Sequence, residues 1–532
     1  MKGEIAGLDW SGDRMIPAFQ APQHLTVYDL RGASRAILLT ATTLAGLINR
    51  PQPKVYLVTS NDDAFWLSQV FASVPQDRAS LGSNEALSGL LDTYGKSIQG
   101  GIIYDPDIID TVNVATMLAG QRDGIVVSPE QAADLQRVYD LPVLVDLRSY
   151  RWKNRLQVYR WALENLLEGS SDRMVAGLDA RNVSGLRSFL VATRTFIYWL
   201  DSRSSLPDVR QGWLSEHMLM QRILHSYPPL ATHLGWFIDE SSGVKLTSQA
   251  AMAVLASDHF TNLEVWAAVQ PQRITVPDAV IEVPQPENKV YVSFTMSDGD
   301  NLQYCQHHLL RLWQDPARGS LPIGWTFSPV LLQAAPAMAA YYLRTMTPND
   351  ELIAGPSGAG YMFPSHWPAE HLAPFLQRTG QMMQAMGITT LEVLDTGFWQ
   401  SSGLPFAFIF SLAGMAFTNS YRQLRYAQEL APFGLWGILS GAGRVAFSYK
   451  IVEGMPLYQN LGLAGSMEQT VRLIKYMALT HKQRPLFLNV YMLAWSITPS
   501  DLKRVVEQLG DGYEIVLPRI LLFQSRKQVE IT

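Results

Sequence analysis

Short apolar runs alternate with stretches of helical spacing along the C-terminal half of the chain. Because parallel strands are covered by helices on both faces, they appear in a sequence as short and nearly continuous apolar runs. Eight such runs predict strands at 290–298, 322–329, 351–357, 389–395, 435–441, 444–450, 485–495 and 513–523. Seven or eight β/α units in about 240 residues is the size of a β/α barrel. A doubly wound open sheet is the alternative fold.

The N-terminal half shows the same alternation less regularly. Its apolar runs lie at 54–60, 101–106, 124–129 and 142–149, with helical spacing between them. The predicted parts are an α/β N-terminal subdomain at 1–150, a mainly helical subdomain at 151–212, a small α/β subdomain at 213–270, a proline-rich linker at 271–288 and a barrel-like domain at 289–532. The predicted fold class is therefore α/β, with a C-terminal β/α barrel-like domain of seven or eight strands preceded by a multi-part α/β N-terminal region.

Composition narrows the class of protein. With 47% hydrophobic and 17% charged residues, the chain is typical of a globular protein. Its net charge is −5 and it has no tract rich in Lys and Arg, so we expect no nucleic-acid partner. Its longest apolar runs are shorter than the roughly 20 residues that span a bilayer, so we expect no membrane association. The first residues contain no apolar segment, which favours a cytoplasmic protein; an exported protein whose signal peptide has been removed is the alternative.

Carboxylates stand at the ends of two predicted strands. The first strand ends in SDGDN, which contains Asp298 and Asp300, and the fourth ends in LEVLD, which contains Glu392 and Asp395. Glu392 and Asp395 are three residues apart and therefore face opposite sides of the strand, and Asp395 is preferred because it stands at the very end. Strand ends share one rim of a barrel, so these four residues are the candidate catalytic acids. Their ordinary alternative is a turn or a helix cap.

Amides, glycines and aromatic rings accompany these acids on the same loops. Rings can pack on the C–H faces of a sugar while amides bind its hydroxyl groups. The candidate substrate-binding residues are Asn301, Trp325, Gly358, Gly360, Tyr361, Phe363, Trp367, Trp399, Asn489, Tyr491 and Trp495. The alternatives are that the rings belong to the core and that Asn489 is satisfied by a neighbouring side chain.

Metal and cofactor motifs are missing from the sequence. The single cysteine, Cys305, excludes a cysteine-built zinc site. His307 and His308 follow SDGDN, which leaves a metal built from Asp298, Asp300 and a histidine as an alternative, but no H-E-x-x-H spacing occurs. The chain also lacks G-x-G-x-x-G and G-x-S-x-G motifs. We therefore predict no metal and no cofactor.

The segment GAGYMFP at 358–364 resembles the signature of the GxGYxYP family of putative glycoside hydrolases. SDGDN and the later GWTFSP at 324–329 are similar to the C-terminal domain of that family, and DLRG at 29–32 and SDHFTN at 257–262 are similar to its N-terminal regions. The resemblance implies a multi-part α/β region, a barrel-like domain and sugar processing. Phe363 stands where the signature has its second tyrosine, so a substrate contact through that phenol would be lost.

The sequence thus predicts a glycoside hydrolase or a related carbohydrate-active enzyme with paired carboxylates and an aromatic-lined cleft. Its expected ligand is a small molecule or an oligosaccharide. Two alternatives stay open. One is a metal-dependent deacetylase or other hydrolase at the same strand ends, and the other is a non-catalytic glycan-binding or repurposed biosynthetic protein.

Overall fold

The computed structural model divides the chain into two compact units. The first comprises Met1–Gln272 and Leu331–Ala339, and the second comprises Arg273–Val330 and Ala340–Thr532. The structure describes all residues except 1–4, 6, 80, 81, 83, 84, 204–213, 272, 273, 275–284, 300, 396–415, 445–447 and 532, and it describes the backbone alone at 442–444, 463 and 528–531. No described helix is long and apolar enough to cross a membrane.

The described strands are numbered in chain order. They are β1 (Leu8–Asp9), β2 (Ala18–Phe19), β3 (Leu25–Asp29), β4 (Val55–Val58), β5 (Gln76–Arg78), β6 (Gly101–Ile103), β7 (Ile125–Val127), β8 (Val143–Asp146), β9 (Met174–Gly177), β10 (Phe196–Tyr198), β11 (Thr232–Gly235), β12 (Ala253–Leu255), β13 (Val290–Met296), β14 (Ile323–Phe327), β15 (Asp350–Ala354), β16 (Thr390–Val393), β17 (Gly437–Arg444), β18 (Ser448–Val452), β19 (Met455–Ala464), β20 (Leu486–Met492) and β21 (Tyr513–Ile515).

The described α-helices are numbered in the same way. They are α1 (Arg35–Asn49), α2 (Asn61–Gln69), α3 (Ala86–Tyr94), α4 (Thr111–Arg122), α5 (Pro129–Tyr139), α6 (Arg155–Leu166), α7 (Arg187–Thr193), α8 (Glu216–Leu224), α9 (Glu240–Gln249), α10 (Leu263–Trp266), α11 (Leu302–Gln306), α12 (His308–Trp313), α13 (Leu331–Ala334), α14 (Pro336–Thr345), α15 (Leu372–Met386), α16 (Ser420–Leu430), α17 (Met467–Thr480), α18 (Pro499–Leu509) and α19 (Pro518–Ile531).

The first unit contains three parallel sheets. Their strand orders are β4-β3-β5, β7-β6-β8 and β10-β9-β11-β12. Two separate sheets therefore occupy the predicted subdomain at 1–150, and β9 and β10 fall within the segment predicted to be mainly helical, at 151–212. Strands of four and three residues, the lengths of β9 and β10, are too short for an alternating pattern to develop.

The second unit contains a closed parallel barrel. Its strands follow the order β14-β15-β16-β17-β19-β20-β13, and the pairing of β13 with β14 closes the ring of seven strands. β21 pairs in parallel with the start of β13, and β18 pairs antiparallel with β19 outside the ring. The predicted β/α barrel preceded by a multi-part α/β region is thus confirmed, and the open sheet is excluded.

Two segments of the barrel differ from the prediction. Strand β19 is the sixth strand of the ring in chain order. It was not predicted, because Gln459, Asn460 and Gly462 interrupt its apolar pattern. The segment at 444–450 was predicted to be a strand of the ring. This was wrong, because among the described strands β18 pairs only with β19, outside the ring. The predicted strand at 513–523 ends after Ile515 and is followed by α19, because Pro518 suits the first position of a helix and cannot donate to a strand ladder.

An apolar cluster fills the barrel at the amino ends of its strands. Tyr291 and Phe487, near the starts of β13 and β20, pack with Tyr458 and with Leu521 and Leu522 of α19. The cluster closes this end of the barrel. A ligand site in the barrel would therefore lie at the carboxyl end.

A prediction about stability concerns Asp350, at the start of β15, which joins the barrel to its outer layer. This residue is 2% exposed and accepts hydrogen bonds from Arg318 Nη1 at 2.6 Å and Trp325 Nε1 at 2.9 Å. Asp350→Ala leaves the Arg318 charge without its partner, so we expect unfolding free energy to fall by about 3–5 kcal/mol. Glu287→Ala, which removes an exposed partner of Lys289, is the control and should cost less than about 1 kcal/mol. Denaturant titration followed by tryptophan fluorescence measures both; equal losses would contradict the assignment.

Candidate active site at the carboxyl end of the barrel

Glu392 points into the barrel from β16. Its charge state responds to Tyr491 of β20 and to Asp298, which follows β13. Strands β16 and β20 are not neighbours in the ring, so their side chains can interact only across its interior. The structure therefore brings together two of the predicted acids, Asp298 and Glu392, with the predicted binding residue Tyr491.

The Glu392 carboxyl is held in an unusual environment. It is 0% exposed, and neither of its oxygens has a hydrogen-bond partner among the described residues. Burial raises its pKa to about 8; the nearby Tyr491 hydroxyl lowers the pKa, and the charge of Asp298 raises it. Glu392 is therefore protonated at neutral pH and can act as a proton donor.

Asp298 occupies a tight turn after β13. Its φ is +72°, a left-handed conformation that is uncommon for residues other than glycine, and its side chain is only partly exposed. The next residue, Gly299, lies so close to the neighbouring strand that a Cβ there would be 1.6 Å from the Thr326 carbonyl oxygen. The Gly299 N–H donates to Thr326 Oγ1 at 2.8 Å. The SDGDN turn thus fixes Asp298 by its backbone.

The two other candidate site residues of SDGDN are Asp300 and Asn301. Asn301 precedes α11, and its side-chain oxygen accepts a hydrogen bond from the Tyr304 N–H at 3.1 Å. It is an N-cap, which was the ordinary alternative to substrate binding. Asp300 lies outside the described residues.

The rings of the GAGYMFP segment are buried. Tyr361 is 2% exposed and Phe363 0%, and the two rings meet edge to face at 5.5 Å. A Cβ on Gly358 would be 2.8 Å from both the Phe375 ring and Thr379 Oγ1 of α15. The glycine therefore permits the loop to lie against α15, and the rings pack beneath the surface instead of forming an exposed wall. Gly360, at φ +104°, holds the same loop in a conformation that favours glycine.

The start of this loop is bound to β16 beside Glu392. Gly355 has φ +152°, and a Cβ there would be 2.8 Å from the Cβ of Glu392. The Ser357 N–H donates to the Glu392 carbonyl oxygen at 2.7 Å, and Ser357 Oγ donates to the Leu394 carbonyl oxygen at 2.9 Å. The loop therefore sets the position of Glu392 through backbone contacts.

Asp395 anchors the other end of the loop. It is 1% exposed and accepts hydrogen bonds from the Ser365 N–H at 3.1 Å and from Ser365 Oγ at 2.5 Å. The sequence preferred Asp395, but the carboxyl group that points into the barrel is Glu392, while Asp395, two residues beyond β16, bonds to the loop. The position at the strand end favoured Asp395 in the sequence, whereas the register of the barrel decides which face is internal.

The predicted tryptophans separate into buried and exposed residues. Trp325 is 0% exposed and packs edge-on against Trp313 at 5.4 Å, and Trp367 is 1% exposed and packs on Phe375 at 4.9 Å. Neither offers a ring face to a ligand in this structure. Trp495, by contrast, is 53% exposed after the end of β20. Trp399 lies outside the described residues.

Asn489 belongs to a polar layer inside the barrel. Its Oδ1 accepts hydrogen bonds from Ser293 Oγ at 2.5 Å and Thr295 Oγ1 at 3.1 Å, and its Nδ2 donates to Asn460 Oδ1 at 2.7 Å. Neighbouring side chains thus satisfy it, as the alternative reading of the sequence had it. Tyr491, two residues further along β20 and on the same face, is the residue of this strand that approaches Glu392.

Several residues that shape the site are not among the predicted site residues. They are Gly355, Ser357 and Ser365, which hold the loop against β16, and Tyr304, whose pKa is raised by burial and then by the charge of Asp298. A glycine directly after the apolar run of β15 was an available signal for close backbone approach. Among the described residues, no group of three His, Cys, Asp or Glu side chains could hold a metal ion.

Four family models match successive parts of the chain. Models of the first, second and third GxGYxYP N-terminal domains match residues 24–94, 98–170 and 172–268, and the "GxGYxYP putative glycoside hydrolase C-terminal domain" matches residues 288–524. No curated protein matches the chain.

Two solved structures provide a comparison of folds. The crystal structure of a "putative hydrolase" from Bacteroides thetaiotaomicron matches with a TM-score of 0.80 and 21% identity over 98% of this chain and 99% of that chain. This likeness shows the shared fold. The structure of a "putative polysaccharide deacetylase" from Mycobacterium smegmatis matches with a TM-score of 0.32 and 10% identity over 49% of this chain and 96% of that chain, which is too low to support an argument.

The raised pKa of Glu392 predicts a pH dependence of stability. Between the ordinary value of 4.5 and about 8, the folded protein keeps a proton on Glu392 that the unfolded chain has lost. Stability therefore falls as pH rises through this range, by up to about 1.4 kcal/mol per pH unit from this group. Glu392→Gln removes the titration, so its unfolding free energy should decline less with pH than that of the wild type. Parallel curves from denaturant titrations at pH 5 to 8 would contradict the assigned pKa.

Gly355 provides a separate test of the contact between the loop and Glu392. Gly355→Ala places a methyl group against the Glu392 side chain and its carbonyl oxygen, so β16 or the loop must shift. Gly434→Ala is the matched control, because Gly434 also has positive φ, at +85°, but nothing lies within 4 Å of its Cβ position. We expect Gly355→Ala to lower the unfolding free energy by about 1–3 kcal/mol more than the control. Similar losses in the two variants would show that the close approach is unimportant.

Proposed function

Because the chain belongs to the GxGYxYP family, we propose that its barrel hydrolyses glycosidic bonds, with Glu392 as the proton donor and Asp298 as the partner carboxylate. The family's C-terminal domain is described as a putative glycoside hydrolase, and that domain carries both residues. The assignment of the two roles rests on their environments.

The observation that carries the proposal is the difference between these two carboxyl groups. Glu392 is enclosed, lacks a hydrogen-bond partner among the described residues and has a pKa of about 8, whereas Asp298 is partly exposed. A carboxyl group that is protonated at neutral pH can serve as the acid when a second carboxyl group lies nearby to act as the base. In glycoside hydrolysis the protonated group gives its proton to the leaving oxygen, while the ionised group activates water or attacks the anomeric carbon.

Access to Glu392 is part of the proposed mechanism. Its carboxyl is 0% exposed in this structure, so a glycosidic oxygen reaches it only when the covering side chains move as the substrate binds. Until then, exclusion of water keeps the group protonated. Asp298, which is already partly exposed, would meet the substrate first.

Replacing each acid tests the proposal directly. Glu392→Gln and Asp298→Asn should each lower kcat by about 10²-fold or more, because each removes a group that transfers a proton or attacks in the transition state. Asp395→Asn, which alters an anchor of the loop, should lower kcat by less than about tenfold. Release of reducing ends from oligosaccharides and of nitrophenol from aryl glycosides measures turnover. Glu287→Gln is the surface control.

The pH profile and a chelator distinguish the alternatives. Turnover should fall above pH about 8, because Glu392 loses the proton that it must donate. Full activity in both Glu392→Gln and Asp298→Asn would refute the assignment. Activity that is lost with a chelator and restored by a divalent ion would favour the metal-dependent deacetylase or hydrolase instead.

A further inference from the structure

We propose that Trp495 forms a stacking subsite for a pyranose ring beside Asp298, so that the substrate is an oligosaccharide or a glycoside with a ring-shaped leaving group. This subsite rests on the proposed function, since it takes the Asp298 and Glu392 pair as the point of cleavage. Its own support comes from the exposure, backing and position of one indole ring.

Trp495 is exposed on one side and supported on the other. Its ring stacks on His308 with centroids 4.4 Å apart and planes inclined by 23°, and its edge meets Tyr304 at 5.6 Å. His308 is itself fixed, because its Nε2–H donates to the Ala494 carbonyl oxygen at 2.9 Å. With 53% of Trp495 exposed, the face opposite His308 is open to solvent.

This support matters for binding. An exposed side chain usually loses rotamer freedom when a ligand stacks on it, and that loss weakens affinity. Trp495 is held by His308 and Tyr304 before any ligand arrives, so less freedom remains to be lost. A flat, fixed indole face suits the C–H face of a neutral pyranose, which carries no charge to pair and leaves its hydroxyl groups in water.

The position of Trp495 connects it to the acid pair. β13 and β20 are neighbours with Met296 opposite Met492, and beyond them the Ala494 N–H donates to Ser297 Oγ at 3.2 Å. Trp495 and Asp298 are therefore the next residues along two adjacent strand ends. The Tyr304 ring contacts the Trp495 ring, and the pKa of Tyr304 is raised by burial and then by the charge of Asp298.

The subsite is beside the acids and not above Glu392, which faces the barrel axis from β16. A sugar on Trp495 would thus be the neighbour of the ring whose bond is cleaved. This predicts that the protein prefers a chain of at least two rings to a single sugar.

Binding measurements on a non-cleaving protein test the subsite. Titration calorimetry with cello-, xylo-, manno- and malto-oligosaccharides is carried out on Glu392→Gln and on the same protein with a second substitution. Trp495→Ala should weaken binding about tenfold or more, whereas Trp495→Phe, which keeps a ring face, should stay within about threefold. His308→Ala should give an intermediate loss, because it removes the backing but leaves the indole.

Trp436 supplies the matched control. It is 42% exposed and directly precedes β17, so it lies at the amino end of the barrel strands, away from Asp298. Trp436→Ala should leave oligosaccharide affinity unchanged. Equal unfolding midpoints for the tryptophan variants confirm that all are folded.

The outcomes separate this proposal from the proposed function. Undiminished binding in Trp495→Ala would overturn the subsite, and so would a failure of every saccharide in the series to bind the parent protein. If binding depends on Trp495 but the wild type releases no reducing ends, the subsite stands and the hydrolase assignment falls. The chain would then be a glycan-binding protein.

Discussion

The enclosed carboxyl of Glu392 is the constraint on which the arrangement of the barrel mouth depends. A buried polar group without a hydrogen-bond partner costs about 1–3 kcal/mol, and an ionised carboxylate in the same place would cost more. The protein limits this cost by keeping the group protonated, which is the origin of its pKa of about 8. The remaining cost has to be met by packing elsewhere in the barrel.

The neighbouring elements provide that packing by holding the backbone on either side of Glu392 in place. The loop after β15 donates a hydrogen bond to the Glu392 carbonyl oxygen through Ser357, and Asp395 secures the loop's far end through Ser365. Inside the ring, the Asn489 layer satisfies its own polar groups and closes off the apolar amino end. The mouth of the barrel thus combines a positive-φ residue, Asp298, with the enclosed carboxyl of Glu392.

Sequence patterns predicted the parts of the fold that depend on local hydrophobicity. The mainly apolar runs at 323–327 and 486–492 were both found, although Asn489 interrupts the second. Strand β19 was missed because Asn460 faces the polar layer, so its strand lacks a continuous apolar run. The rim acids were found because strand ends are recognisable, but the choice of Glu392 over Asp395 depends on barrel register, which is set by neighbouring strands. Burial of Trp325 and exposure of Trp495 depend likewise on tertiary packing.

The burial of the GAGYMFP rings changes what the signature can report. Phe363 has no exposed surface, so the exchange of tyrosine for phenylalanine at this position concerns how the loop packs against itself. Side chains that are buried in this way act on how the loop folds, whatever ligand the barrel takes. A change of ligand at the barrel mouth would therefore not require a change in these rings.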